Sequence, residues 1–265
     1  MEKYSYEHAL YLKRLRRQNI VVYALRFGIL ASFLALWEVL SDTGVIDGFI
    51  FSSPSRILNT IKSLYLSGEL FSHIGTTLFE TILGFAIASV AGILIAVVMW
   101  WSDTLKKVTE PYIVVLNSLP KIALGPLIII WFGAGSGAII FMAVIITVIV
   151  TIINMLAGFI EVDGGKILLL KSMGASKRQI FTKLIFPASL PTLVSTLKIN
   201  VGMSWIGSIM GEYLVSKQGI GYLIVYGGQV FKLDLVMAST FILCVLAGVM
   251  YALVAFAEKS LLKRR

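Results

Sequence analysis

Residues 137–160 read GAIIFMAVIITVIVTIINMLAGFI, without one charged side chain. A helix needs about 20 mostly apolar residues to cross the hydrocarbon core of a bilayer. Inside that core every backbone polar group must be satisfied within the protein, which a helix does by itself. The stretch therefore predicts a spanning helix. Five further stretches of similar character surround it: 20–40, 74–101, 111–133, 190–215 and 235–257. Pro120 and Pro126 interrupt 111–133, which predicts a broken span. The stretch 20–40 carries Arg26 and Glu38 but lacks a small-residue cleavage site, so it reads as a retained helix and not a leader.

Composition agrees. Of 265 residues, 58% are hydrophobic and 14% charged, and the mean hydropathy is +0.90. A soluble domain is about half apolar and about a quarter charged, so lipid is the expected solvent. The single cysteine, Cys244, excludes a disulfide framework within the chain and a cysteine metal cluster. His8 and His73 lie far apart with no Glu-x-x-His partner, which argues against a catalytic metal.

The net charge is +9, and its distribution orients the chain. With the N-terminus inside, segments 1–19, 102–110, 161–189 and 258–265 hold 5, 2, 5 and 4 Lys/Arg residues. The outer segments hold Arg56, Lys62, Lys217 and Lys232, while Arg26, Lys121 and Lys198 lie within spans. Basic loops stay in the cytoplasm, so both termini are expected there. The charge then reflects membrane anchoring and not a nucleic-acid partner. The expected division is a cytoplasmic tail 1–19, a transmembrane region 20–260 containing a cytoplasmic loop 161–189, and a basic tail 261–265.

That loop contains KSMGASKRQIFTKLIFPASLP, residues 171–191. Lys166 to Met173 predicts a short helix ended by Gly174 in the left-handed conformation. Ser176 is the expected cap of a second helix beginning at Lys177. It carries Ile180, Phe181, Leu184 and Ile185 on one side, with Lys177, Arg178 and Lys183 on or near the other. Pro187 and Pro191 are expected to stop it and start the next span. Two uses fit such a helix: resting on anionic headgroups, or docking a cytoplasmic protein.

Polar residues inside spans are the other candidates. Thr196, Asn200, Ser204, Ser208 and Glu212 recur at every fourth position, one ridge of a helix. Such a ridge suits a translocation path, and equally interhelical hydrogen bonding; the agreement of five positions favours the path. Asn117 and Lys121 sit one turn apart beside Pro120. Lys121 there suits an anionic solute, or a pairing with a carboxylate such as Glu80. Gly84, Ala88, Gly92 and Ala96 form a small-residue ridge that lets another helix approach.

The loop pattern G-A-S-K-R-Q-I-F-x-K-L-I-x-P-A-S-L-P resembles the cytoplasmic coupling loop of ATP-binding cassette importer permeases, nearest the nitrate, sulfonate and taurine type. FSSPSRI at 51–57, TTLFETILGF at 76–85, LPKIALGPLIIIWFG at 119–133 and GIGYLI at 219–224 resemble that family in the same order. The Glu-Ala-Ala of the family's loop falls on Leu168, Leu169 and Leu170, so its glutamate is missing here. The resemblance implies an all-α, six-span, type I importer permease of MetI-like architecture in a bacterial inner or plasma membrane. It implies two ATPase subunits as partners, a second permease copy and an extracytoplasmic substrate-binding protein. It places ATPase coupling at Met173, Gly174, Ala175, Ser176, Lys177, Arg178, Ile180 and Phe181. The expected path residues are Asn117, Lys121, Asn200, Ser204, Ser208 and Glu212.

No G-x-x-x-x-G-K-[ST] occurs in the sequence; Gly164-Gly165-Lys166-Ile167 lacks the first glycine and the hydroxyl. No cofactor is expected in this chain, with ATP and magnesium belonging to the partner. Two rivals are an ion-coupled secondary transporter, which should show internal repeats, and an intramembrane enzyme, which should show a catalytic constellation within the spans. Neither feature is evident in the sequence.

Overall fold

The computed structural model describes residues 6–262, all of whose regular structure is helical. Residues 1–5 and 263–265, and with them parts of both expected tails, lie outside the described residues.

The first helix, α1 (Tyr6–Asp42), runs unbroken from the expected tail through the first span. Residue 19 therefore falls inside a helix, with no breaker between the expected tail and the span. Its exposed apolar side chains include Phe27 and Ile29, each 71% exposed, as lipid contact requires. It is tied to the body at one end, where Glu38 accepts a hydrogen bond from the Ser55 N–H at 3.0 Å. After α2 (Gly48–Phe51), α3 (Pro54–Leu66) opens with Ser53 as cap and Pro54 in its first turn. A proline costs nothing there because that N–H has no helical partner. Ser52 and Arg56 both bind Asp234, fastening this outer helix to the last one.

The core is a trio: α4 (Glu69–Trp101), α7 (Ser136–Ile160) and α11 (Leu190–Val215). The small-residue ridge of α4 faces α7. A Cβ at Gly84 would meet that of Ala143 at 2.6 Å, and one at Gly92 would meet Thr151 at 2.5 Å. On α11, Gly211 brings the backbone so near α7 that a Cβ would lie 2.9 Å from the Ile139 Cα. Close backbone approach of this kind replaces the hydrophobic effect as the source of helix association in lipid.

The broken span has a different form from the expectation. Helix α5 (Asp103–Ser118) begins one residue after α4, so the expected loop 102–110 is helical, with Ser102 capping it and Pro111 inside it. The chain then turns at Leu119-Pro120, passes through a 3-10 turn (Lys121–Leu124) and enters α6 (Gly125–Phe132). The two arms meet at 86°. Pro120 makes the break, while Pro126 sits in the first turn of α6 and starts a helix.

The segment after α7 holds α8 (Gly164–Ser172), α9 (Lys177–Ile180), a π turn (Phe181–Ile185) and α10 (Phe186–Ala188). This second helical stretch meets α11 at 59°. It runs through Pro187, and the break falls at Ser189; only Pro191 acts as expected, in the first turn of α11. The chain ends with α12 (Ile220–Gln229) and α13 (Leu233–Leu262). Among the described residues four helices are long and apolar enough to cross a membrane, or up to six if each bent pair forms one span.

Candidate functional site

The loop 161–189 is built as a rigid double turn. Asp163 caps α8 by accepting the Gly165 N–H at 2.8 Å. Gly174 ends it at φ +80°. The Ala175 N–H bonds the Leu170 carbonyl and the Gly174 N–H the Lys171 carbonyl, both at 2.9 Å. This is the paired closure that a left-handed glycine permits at a helix end. Ser176 and Gln179 then form a capping box, with bonds of 2.8 and 3.3 Å.

The second helical stretch turns its apolar side inward. Ile180 is 3% exposed and Ile185 fully buried, in a cluster with Met99 of α4 and Met155 and Phe159 of α7. Phe181 lies 5.0 Å from the Trp100 ring and 5.5 Å from Phe159. Lys177 donates to the Trp101 carbonyl at 2.7 Å and stands over the Trp100 ring. Ile180 and Phe181, expected to touch a partner, thus anchor the loop to the bundle. The outward face belongs to Met173, Gly174, Ser176 and Arg178, together with Leu168 and Leu169. Leu168 and Leu169 are 66% and 60% exposed, and Met173 is 74% exposed. The sequence reading passed over those two leucines as a lost motif. Their signal was an apolar run in α8 too long for one buried face, with Ile167 and Leu170 taking the inner side.

The polar ridge of α11 is brought together, but as a seam inside the chain. Thr196, Asn200, Ser204, Ser208 and Glu212 are each at most 2% exposed. The Asn200 amide donates to Ser89 of α4 at 2.9 Å and accepts from Thr151 of α7 at 3.2 Å. Thr147 and Ser204 share a bond of 3.2 Å. In this conformation the ridge joins three helices, so Asn200, Ser204, Ser208 and Glu212 face packed neighbours where a polar wall of the path was expected. A period of four shows that residues share a face, not what covers that face. Asn117 is exposed and Lys121 half-buried at the α5–α6 bend, away from the seam. The Lys121 ammonium donates to the Asn117 carbonyl at 3.0 Å and so covers the end of α5, where a cation suits the helix dipole.

At the other end of the seam, Glu212 does not reach water. Its Oε2 accepts the N–H groups of Gly221 and Tyr222 at 2.6 and 3.3 Å. Two α4 residues complete the set: His73 accepts the Gly219 N–H at 3.0 Å, and Thr77 accepts the Ile220 N–H at 2.8 Å. Side chains from two core helices thereby satisfy the donors at the start of α12, which a helix cannot pair internally. Both glycines of G-I-G are required sterically, since a Cβ at either would collide with the Glu212 carboxylate.

A bundle of apolar helices joined by a polar seam, carrying a rigid loop with an exposed apolar face, defines a multi-pass membrane subunit built to work with other proteins. The chain belongs to the family described as binding-protein-dependent transport system inner membrane component, whose pattern matches residues 88–265. Among its relatives, a formylaminopyrimidine transport permease protein of Halalkalibacterium halodurans is 30% identical, covering 88% of this chain and 92% of the relative. An aliphatic sulfonates transport permease protein of Bacillus subtilis is 28% identical, over 89% of this chain and 85% of the relative. The taurine transport system permease protein of Escherichia coli is 25% identical, over 84% and 83%.

Solved structures share the fold. A methionine ABC transporter in an inward-facing conformation matches with a TM-score of 0.59 at 19% identity, over 74% of this chain and 95% of that one. A bacterial alginate ABC transporter, in complex with an alginate-bound periplasmic protein, matches with a TM-score of 0.64 at 15% identity, over 92% and 96%. The chain is a permease component of the ATP-binding cassette importers, all-helical and of MetI-like architecture.

Proposed function

We propose that this chain moves a small solute across a bacterial inner membrane by coupling to separate ATPase subunits through the outward face of 161–189. The observation that carries the reading is the build of that loop. Its inner face is locked to the ends of α4 and α7, while Leu168, Leu169, Met173 and Arg178 stand free of the bundle. A load on the outer face is therefore transmitted to the core helices through Phe181, Ile180 and Ile185. With Ile180 and Phe181 as anchors, coupling rests on Met173, Gly174, Ala175, Ser176, Lys177 and Arg178 and on the two leucines.

Hydrolysis belongs to the partner, because no P-loop pattern occurs in this chain and Gly164-Gly165-Lys166 forms the first turn of α8. ATP and magnesium are bound there. A substrate-binding protein delivers the solute from outside, and two copies of the permease enclose the path, with Asn117 and Lys121 at the α5–α6 bend as its candidate polar lining. The relatives' names support a sulfonate, a taurine-like zwitterion or a pyrimidine vitamin precursor as the solute class.

The test is co-purification of the tagged chain from native membranes. A stoichiometric P-loop ATPase is expected to accompany it. Gly174→Val places a β-branched residue at φ +80°, a conformation that costs about 1–2 kcal/mol. The variant is expected to reach the membrane and to lose the ATPase. Full retention of the partner and of transport would remove the loop from the coupling role.

A further inference from the structure

Two carboxyl groups, Glu80 of α4 and Glu212 of α11, come together where these helices meet α12: Thr77, one turn before Glu80, holds the Ile220 N–H, and Glu212 holds the next, that of Gly221. Each is 1% exposed. Glu212 spends Oε2 on the α12 backbone. Its Oε1 and both oxygens of Glu80 have no hydrogen-bond partner. The ion pairs among the described residues are Arg56–Asp234 and Lys198–Glu258, so neither glutamate is balanced by a base.

Two hydroxyls stand beside the pair, Ser136 by Glu80 and Thr77 by Glu212. From α4 come His73, engaged with the Gly219 N–H, and Thr77, engaged with that of Ile220. From α7 comes Ser136, and that helix has no ionisable side chain. Tyr213 lies beside Glu212 on α11, and α12 brings Tyr222 and Tyr226. An ionised carboxylate only accepts hydrogen bonds. Two of them, buried and opposed, repel in a medium that screens poorly. One positive charge between them removes the repulsion and uses the free oxygens.

We infer that Glu80 and Glu212 form a buried site for one monovalent cation, a proton or a sodium ion, which bridges their free oxygens and ties α4 to the α11–α12 corner. As a proton it makes Glu80 the donor to Glu212 Oε1, leaving Oε2 to the α12 amides. As sodium it is ligated by the three free carboxylate oxygens, with the hydroxyl of Ser136 at hand. This site stands apart from the coupling loop and does not depend on the solute.

The test uses the full chain in lipid nanodiscs and compares wild type with Glu80→Gln. The amide supplies a donor without a second charge, so the corner stays closed. In sodium-free buffer, the wild-type melting temperature should fall as pH rises, because the folded state holds a proton that the unfolded chain releases; Glu80→Gln should lack this fall. An infrared band of a protonated carboxyl, absent in Glu80→Gln, marks the proton. A rise in melting temperature with sodium, at fixed pH and ionic strength and absent in Glu80→Gln, marks the metal ion. Identical pH and sodium responses in the two proteins would overturn the site. Should Glu80→Gln fail to insert, the wild-type spectrum and sodium titration decide alone: neither band nor stabilisation overturns it.

Discussion

Asn200 shows how spacing places one side chain on a face without reporting what covers that face. Its position on a ridge with Ser204 and Ser208 follows from spacing alone. Its partners, Ser89 and Thr151, lie on helices far away in sequence, and no period reports them. Asn200→Leu is expected to strand the buried Ser89 hydroxyl, while Thr151 keeps the Thr147 carbonyl, costing about 1–3 kcal/mol. Thermal unfolding in detergent should shift downward, with the Michaelis constant for the solute unchanged. A changed Michaelis constant with unaltered stability would return Asn200 to the path. Glu212 repeats the lesson at the corner: its place near the outer end of the span was legible, but its burial and its service to the amides of 221 and 222 depend on α12 folding back beneath it.

Among the elements, α11 was legible to the residue, 190–215, because Pro191 starts it and a polar loop follows Val215. Helix α5 was not, because its first turns are charged and amphipathic and read as a loop when spans are sought by hydropathy alone. In α8, the closed end follows from Gly174, yet the earlier start at Gly164 under the Asp163 cap and the division of its leucines between an inner and an outer face required the structure. Leu168 stands where the family's loop has its glutamate and Leu169 follows it, so the partner surface is expected to be apolar there. Burial of a leucine contributes roughly 1.5–3 kcal/mol. Replacing both by serine should therefore weaken ATPase association at least tenfold, measured by titrating the ATPase onto nanodisc-held permease. Monomer stability should not change, since neither side chain packs within the chain.

For the whole molecule, the uncovered surfaces are as informative as the core. Helix α5 buries no side chain fully and meets the core through Ile113, while Tyr112, Val114 and Val115 are each more than half exposed. A second copy of the permease is the proposed cover. In a Cys244→Ser background, single cysteines at Tyr112, Val115 and Leu116 should include at least one that forms a disulfide between copies in native membranes. Failure at all three positions would turn α5 toward lipid, and Asn117 and Lys121 would leave the path with it. The cradle at the start of α12 bears on how the chain is made. The amides of 219–222 are satisfied only by residues 73, 77 and 212. During synthesis α4 leaves the ribosome long before α12. Until the early and late parts of the chain meet, those amides must stay with water or the insertion machinery. Closure of this corner is therefore among the last steps of biogenesis, and a chain halted before residue 219 would expose the empty cradle to quality control.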